Sequence, residues 1–290
     1  MLKSFIIRGI ATLVLIASPM TYADNNTVIR IGGFYANTDS TIDVNDPILG
    51  NAFALDFESD LKLEESQFLP FFEFSHHFND RHTLYVDWKQ LHRNAAVQSV
   101  EKPFQFTWDD TTYDIKSGIS LDTTLNIDIM RIGYGYDIWQ GHNYDVGLSV
   151  GLHAMFIKTA FKGKIGICDS GTENRCPDTI DIPKVVDEKL SAPLPDIGVY
   201  GAYEFYPGFK LNGHAQYFYI KLDDLKGGLV DIRLGVEAEI SENWHMTAAF
   251  NYYEVDVEYT STFTDADIKL ADYNIYYSFT GPMLSVSYQF

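Results

Sequence analysis

One stretch of this 290-residue chain matches a motif that serine hydrolases use. Residues 147–151 fit G-x-S-x-G with Ser149 as the nucleophile. His153 lies four residues after Ser149. In a hydrolase the motif occupies a sharp turn between a strand and a helix. Here it lies inside an alternating strand, where Ser149 and His153 stand about 13 Å apart, too far for proton transfer between them. We therefore expect no hydrolase site.

Two histidine motifs also fall short of a site. Asp80-Arg81-His82 joins an acid to a base, but it lies in a predicted tight turn, away from the long loops where a surface enzyme would act. His76 and His77 are consecutive, and consecutive strand residues point to opposite faces, so they could share a metal ion only across a bend. We expect no catalytic residues, no metal site and no cofactor.

Composition narrows the class of protein. Lys and Arg total 21 against 40 Asp and Glu, a net charge of -19, which opposes binding to nucleic acid. Two cysteines are too few for a disulfide-dense scaffold or a thiolate metal site. The 20 Phe, 19 Tyr and 4 Trp make 15% of the chain, and this richness in rings indicates an interface.

The first 23 residues differ from the rest of the chain. Lys3 and Arg8 precede an apolar run at 9–17, and small residues at 21–23 suit a signal peptidase. This order predicts a signal peptide at 1–23 and a mature part at 24–290. An N-terminal membrane anchor is the alternative, but the apolar run is shorter than the roughly 20 residues that a spanning helix needs.

Long alternating segments are the main structural signal. From Gly228 to Ile240 the even positions are apolar or small, whereas most of the odd positions are charged. Similar alternation covers 144–158, 209–221 and 244–254. An ordinary soluble strand has about 5 or 6 residues, whereas a strand that crosses a membrane in a barrel needs roughly 9 to 11. The pattern therefore predicts membrane-spanning β-strands.

Turns and loops predict the topology. Four tight turns, at 79–82, 140–143, 207–208 and 241–243, alternate with longer polar stretches. Short periplasmic turns and long extracellular loops are typical of outer-membrane barrels. With both termini in the periplasm, four turns predict an all-β, antiparallel, up-and-down barrel of about ten strands. Residues 51–60 could form a further strand or a hairpin arm, so twelve strands also fit, as do eight. The ten strands are expected near 28–38, 66–78, 82–94, 117–139, 144–162, 193–206, 209–221, 228–240, 244–259 and 268–290.

Aromatic residues cluster near the four turns, as in the girdle of a membrane barrel.

In the last strand, Gly281-Pro282 separates two sets of alternating apolar residues. The first set occupies odd positions and the second set even positions, which predicts a β-bulge that moves the outward side of the strand by one residue. The dyads are Tyr273, Ile275, Tyr277 and Phe279 before it, and Leu284, Val286, Tyr288 and Phe290 after it.

The carboxyl end, Tyr288-Gln289-Phe290, resembles the terminal signature of Gram-negative outer-membrane β-barrel proteins. Segments 78–88 and 127–136 look like those of small, largely uncharacterised barrels similar to the outer membrane protein W and A groups. The resemblance implies a location in the cell outer membrane and an assembly signal at Tyr288 and Phe290 that the assembly machinery reads. It carries over no functional site.

Charged residues opposite the apolar dyads are predicted to line the lumen. A barrel of about ten strands is narrow enough for side chains to fill much of it. We expect a salt-bridged network centred on Arg131 and Arg233, with a narrow permeation path as the alternative. The predicted lumen residues are Glu73, Asp87, Lys89, Arg131, Asp145, Asp196, Glu204, Lys210, Asp231, Arg233, Glu237 and Glu239.

The loops contain two further candidate features. Cys168 and Cys176 are predicted to close a loop by a disulfide in an oxidising compartment. Acidic loop residues could share divalent cations with lipopolysaccharide phosphates, or could simply be solvated. They are Asp43, Asp46, Asp109, Asp110, Asp114, Asp223, Asp224, Asp265 and Asp267.

Together these patterns predict a barrel with a structural or surface-interaction role and no enzymatic activity. A narrow channel for small solutes or ions is the first alternative. A surface enzyme that modifies lipid or peptide is the second. The expected partners are outer-membrane lipid, lipopolysaccharide and the assembly machinery, with no nucleic acid.

Overall fold

The computed structural model describes residues 27–46, 51–108, 111–169, 184–222, 225–263 and 268–290. No helix in these ranges is long and apolar enough to cross a membrane. The regular structure consists of strands, with these bounds: β1 Thr27–Asp46, β2 Asn51–Asp56, β3 Ser66–Asn79, β4 His82–Val97, β5 Phe104–Trp108, β6 Thr111–Ile115, β7 Leu121–Gln140, β8 Tyr144–Gly163, β9 Gly166–Asp169, β10 Lys184–Tyr206, β11 Phe209–Leu222, β12 Leu225–Ser241, β13 Trp244–Phe263 and β14 Ile268–Gln289.

Ten strands form a closed antiparallel barrel. Around the barrel they follow the order β1-β3-β4-β7-β8-β10-β11-β12-β13-β14. The barrel closes where β14 pairs with β1, from Val28 opposite Gln289 to Asn45 opposite Asp272. The predicted all-β antiparallel barrel of about ten strands is therefore confirmed.

The two ends of the barrel differ, and we call them the turn end and the loop end. The four short turns and both ends of the described chain lie at the turn end, where Phe290 N donates a hydrogen bond to Thr27 O. At the loop end, β2 pairs with residues 41–46 of β1 and is not one of the ten barrel strands. Strands β5, β6 and β9 form a separate small sheet. The segment predicted at 51–60 is thus a hairpin arm.

The outer wall near the turn end is apolar. On β13 the outward residues from Trp244 to Tyr252 are apolar or aromatic. At about 3.4 Å per residue and a tilt of about 40°, this stretch is roughly 21 Å tall, close to the 25 Å apolar band of membrane barrels. The wall of this half is therefore suited to lipid.

Towards the loop end the pattern inverts, and apolar side chains face the interior. On β13 the change occurs between Tyr252, which is exposed, and Tyr253, which is buried. The bulge predicted at Gly281 is wrong, because β13 and β14 keep one register through Asn251 opposite Gly281. Phe279 faces inward and its ring stacks on Tyr253, with centroids 4.6 Å apart. The parity of apolar residues changes because the interior becomes apolar, while the strand register of β14 stays the same.

An apolar core fills the barrel towards the loop end. Side chains from most wall strands contribute to it, among them Phe34, Leu69, Leu91, Ile129, Met155, Leu194, Leu229, Tyr253 and Phe279. The loop between β2 and β3 folds inward and adds Phe57, Leu61 and Leu63 to the same core. Several strands also continue beyond the lipid band. For example, β10 begins at Lys184, nine residues before the predicted start at 193.

Candidate functional site

A layer of buried and half-buried charges lies between the apolar core and the turn end. The inward positions of the wall strands supply them, because outward positions at this level face lipid. We call this set the charge layer. Its members are Arg30, Glu73, Asp87, Lys89, Arg131, His153, Asp196, His214, Asp231, Arg233 and Glu237.

Strand register aligns one row of the charge layer across five strands. Arg30 lies opposite Glu73, Glu73 opposite Asp87, Asp87 opposite Arg131, and Arg131 opposite His153. Cross-strand neighbours on one face are close enough to interact. The row therefore places Glu73 and Asp87 side by side between Arg30 and Arg131, so that each carboxylate has an arginine as its other cross-strand neighbour.

The central contact crosses the lumen. Lys89 Nζ lies 2.9 Å from Asp231 Oδ2, and the two side chains are only 4% and 2% exposed. Asn251 also donates a hydrogen bond of 2.8 Å to Asp231. The Lys89 ammonium lies 5.2 Å from the centre of the Tyr253 ring, a distance suited to a cation–π contact. Asp231 is thereby compensated from several directions, as a buried carboxylate requires.

A second cluster joins three strands nearer the turn end. Arg30 is 2.8 Å from both Glu73 and Glu237 and bridges these two carboxylates. Arg233 pairs with Glu73 from the opposite wall. Glu73 is therefore held between two guanidinium groups, whose planar donors can serve several carboxylate oxygens.

Arg131 has a smaller role than the sequence suggests. Its guanidinium lies 3.5 Å from Asp87 and 5.5 Å from the centre of the Tyr85 ring. The residue that bridges two carboxylates is Arg30, which the sequence reasoning missed. The sequence does contain a pattern that predicts an inward-facing Arg30, because this residue lies between the outward-facing Ile29 and Ile31 in an alternating strand.

His153 and Asp196 form a buried acid–base pair. Nδ1 of His153 is 3.2 Å from Oδ2 of Asp196, and both side chains are fully buried. Ser149 also faces the interior, but the charged neighbours of His153 are Asp196 and Asp231. His214 approaches Asp231 to 3.6 Å. Sequence reasoning noted His153 only as a candidate base and overlooked His214.

Four of the predicted lumen residues do not belong to the charge layer and are less buried than its centre. Asp145 and Glu204 are half-buried, and Glu204 accepts a hydrogen bond of 3.0 Å from Gly208 N within a turn. Lys210 and Glu239 are exposed. The structure therefore divides the predicted set into the charge layer and four half-buried or exposed residues outside it.

One more ion pair ties the inner loop to the wall. Arg93 on β4 pairs with Glu58 of the loop between β2 and β3, and both are buried. Arg93 also donates hydrogen bonds to Thr38, at 2.8 Å, and to Ser40, at 2.5 Å. These contacts fix the loop inside the loop end. Glu58 gave no sequence signal, because its loop has no regular periodicity.

The remaining candidate features are only partly visible. Cys168 lies in β9, paired with Thr112, whereas Cys176 is outside the described residues, so the disulfide stays a prediction. Tyr288 contacts the rings of Trp244 and Phe290, and its role as an assembly signal also stays a prediction.

Of the acidic residues that could share cations, Asp43 is exposed and Asp114 is buried. Asp46 is described only in its backbone, and the rest are outside the described ranges, namely Asp109, Asp110, Asp223, Asp224, Asp265 and Asp267. Within those ranges, no group of three His, Cys, Asp or Glu side chains is arranged to hold a metal ion.

Comparison with known proteins identifies the class. No family model and no curated protein matches the chain. The outer membrane protease OmpT from Escherichia coli has a similar structure, with a TM-score of 0.56 at 10% identity, covering 93% of this chain and 99% of that one. The NalP translocator domain from Neisseria meningitidis gives 0.41 at 10% identity, covering 91% and 88%. The toluene transporter TodX from Pseudomonas putida gives 0.36 at 10% identity, covering 92% and 91%.

Of these three, OmpT is similar enough to support an argument about fold. The chain has the fold of Gram-negative outer-membrane β-barrels. At 10% identity the similarity extends to the fold alone.

Proposed function

We propose that this protein is an exported outer-membrane barrel with a closed lumen and a structural or surface-interaction role. In this proposal residues 1–23 are removed as a signal peptide, the turn end faces the periplasm and the loop end faces outward. The protein acts through its outer wall and loop end, without catalysing a reaction. The observation that carries the proposal is the apolar core across the loop-end half of the lumen.

The apolar core opposes the passage of solutes. Phe57 and Leu61 are buried in it although they belong to a loop, and the Arg93–Glu58 pair holds that loop in place. A hydrated path would require water beside these apolar side chains, which is unfavourable. The core therefore supports a sealed loop end.

The charge layer supports the same conclusion. In a water-filled channel, lumen charges are solvated and left available to passing ions. Here Lys89 and Asp231 are almost fully buried and paired with each other, and Glu73 is held by two arginines. Charges arranged in this way hold opposite walls together.

Single-channel conductance in planar bilayers tests this proposal against the narrow channel. We expect the wild-type protein to show no discrete steps. We expect the charge-layer variant Asp231→Asn to create none either. Steady conductance of the wild-type protein, with ion selectivity altered in Asp231→Asn, would establish the channel instead.

A further inference from the structure

The charge layer contains one more carboxylate than it has permanently charged cations. Five carboxylates belong to it, those of Glu73, Asp87, Asp196, Asp231 and Glu237. Four basic side chains face them, those of Arg30, Lys89, Arg131 and Arg233. A buried carboxylate is costly unless a cation or a proton compensates it. The layer therefore lacks one positive charge.

Asp196 is the carboxylate without a lysine or arginine partner. Each of the other four contacts an arginine or Lys89 at 3.5 Å or less. Among the described residues, the ion-pair partner of Asp196 is His153, whose Nδ1 lies 3.2 Å from Oδ2. No other described group donates a hydrogen bond to either oxygen of this carboxylate. Both side chains are fully buried, so solvent does not compensate the charge.

A glycine brings Asp196 to His153. Asp196 on β10 is directly opposite Gly151 on β8, and His153 is the next inward position along β8. A Cβ built at Gly151 would lie 2.5 Å from Oδ2 of Asp196, closer than a real Cβ approaches an oxygen. The carboxylate therefore leans across the glycine onto β8, within reach of the imidazole.

Charged and titratable side chains surround His153. Asp231 Oδ2 lies 3.8 Å from its Nε2, and the Tyr253 ring centre lies 5.9 Å from the imidazole centre. Lys89 and Arg131 are also near, but each already has a carboxylate partner. Carboxylates thus approach both ring nitrogens, and both are donors in an imidazolium. The surrounding groups are Asp87 and Lys89 on β4, Arg131 on β7, Asp196 on β10, His214 on β11, Asp231 on β12 and Tyr253 on β13.

His214 has the opposite environment. Its Nε2 is 3.6 Å from Asp231, but Lys89 already compensates that carboxylate at 2.9 Å. Its cross-strand neighbour on β12 is Arg233, a permanent cation. A proton on His214 would add a charge where the layer is already balanced, whereas a proton on His153 supplies the missing one. The two histidines therefore serve as an internal comparison.

We propose that His153 is a proton-binding site and that its imidazolium is the fifth cation of the charge layer. Nδ1–H donates to Asp196, and Nε2–H points to Asp231. The site goes beyond a purely structural role, because it makes the barrel sensitive to pH. Loss of the proton leaves Asp196 buried without a cation, which loosens the contact between β8 and β10.

Nitrogen NMR of the histidine-labelled protein, folded in detergent micelles, tests the site. The measurement is made at about pH 7.5, above the ordinary histidine value of about 6.5. We expect both ring nitrogens of His153 to be protonated and His214 to be neutral. The variants His153→Gln and His214→Gln assign the two signals. A neutral His153 in the wild-type protein would overturn the proposal.

A pair of variants tests the role of Asp196. In Asp196→Asn the charge layer is balanced without the proton, so His153 should become neutral at the same pH. The matched control is Asp128→Asn, which removes the carboxylate 3.1 Å from the partly exposed His92 and should leave His153 protonated. A heat-dependent shift in gel mobility verifies that each variant is folded. An imidazolium that persists in Asp196→Asn would contradict the assigned pairing.

The pH dependence of stability gives a second readout. Above about pH 6.5 a histidine of the unfolded chain loses its proton, whereas folded His153 retains it. The unfolded state then binds fewer protons, so stability falls as the pH rises. In urea unfolding from lipid vesicles, this one group should raise the unfolding equilibrium constant about tenfold between about pH 7 and pH 8.

The double variant His153→Gln/Asp196→Asn removes both groups and should lack this contribution. Comparison of its pH dependence with that of the wild-type protein cancels the effect of the other titrating groups. Identical pH dependence in the two proteins would overturn the site. Neither readout involves conductance, so an open lumen would refute the proposed function and leave these measurements intact.

Discussion

Replacing Lys89 by methionine should strongly destabilise the barrel. The substitution keeps an unbranched side chain of similar length and removes the cation that lies 2.9 Å from Asp231. Because the two side chains are 4% and 2% exposed, Asp231 would be left buried without its main partner. Loss of one member of a buried pair costs about 3–5 kcal/mol. The exposed pair of Lys226 and Glu258, at 45% and 47%, is the control, since such pairs contribute about 0–1 kcal/mol.

Urea unfolding in lipid vesicles, followed by tryptophan fluorescence, measures these costs. The series contains Lys89→Met, Asp231→Asn, the double variant and Lys226→Met. We expect the double variant to recover most of the loss seen in Lys89→Met, because neither charge then remains buried alone. Equal losses in Lys89→Met and Lys226→Met would refute the reasoning, since burial would then have no influence on the strength of the pair.

Three further predictions concern the wall, the loop and the carboxyl end. Leu234→Arg, at an outward position remote from both ends of the apolar band, should lower the free energy of unfolding by about 2–4 kcal/mol, whereas Ile240→Arg, near the turn end, should lower it by about 0–1 kcal/mol. Equal losses in vesicle unfolding would show that the depths of these residues in the membrane are misassigned. If Cys168 and Cys176 are bonded, thiol titration of the native protein should detect no free thiol until a reductant is added, and two free thiols would contradict the bond. Replacing Phe290 by Asp should lower the amount of heat-modifiable protein in the outer membrane while export continues, and normal levels would argue against the assembly signal.

Local pattern was sufficient to predict the barrel. Alternation in β12 and the four tight turns depend on residues close in sequence, so they indicated strand positions and strand number. The bulge predicted at Gly281 was wrong, because the alternation of apolar residues was interpreted as if the interior of the barrel were polar throughout. An apolar core towards the loop end reverses the pattern without any bulge.

The partners within the charge layer could not be predicted from the sequence. Lys89 and Asp231 are 142 positions apart and meet only because the closed barrel brings β4 and β12 to opposite sides of one narrow lumen. Arg93 and Glu58 meet because an irregular loop folds inward. The end of the β10–β11 ladder at Ile197 opposite Tyr217 was likewise hidden, since Pro193 and Pro195 disfavour a ladder but do not identify which neighbour is lost.

Thiol accessibility tests the closed lumen most directly. In a variant with Cys168 and Cys176 replaced by serine, Leu229→Cys places one thiol in the apolar core and Ser59→Cys places one on the exposed loop end. If the core seals the lumen, a water-soluble maleimide should label Leu229→Cys roughly a hundredfold more slowly than Ser59→Cys until the protein is unfolded, because labelling then requires local opening. Similar labelling rates at the two positions in the folded protein would contradict the sealed lumen.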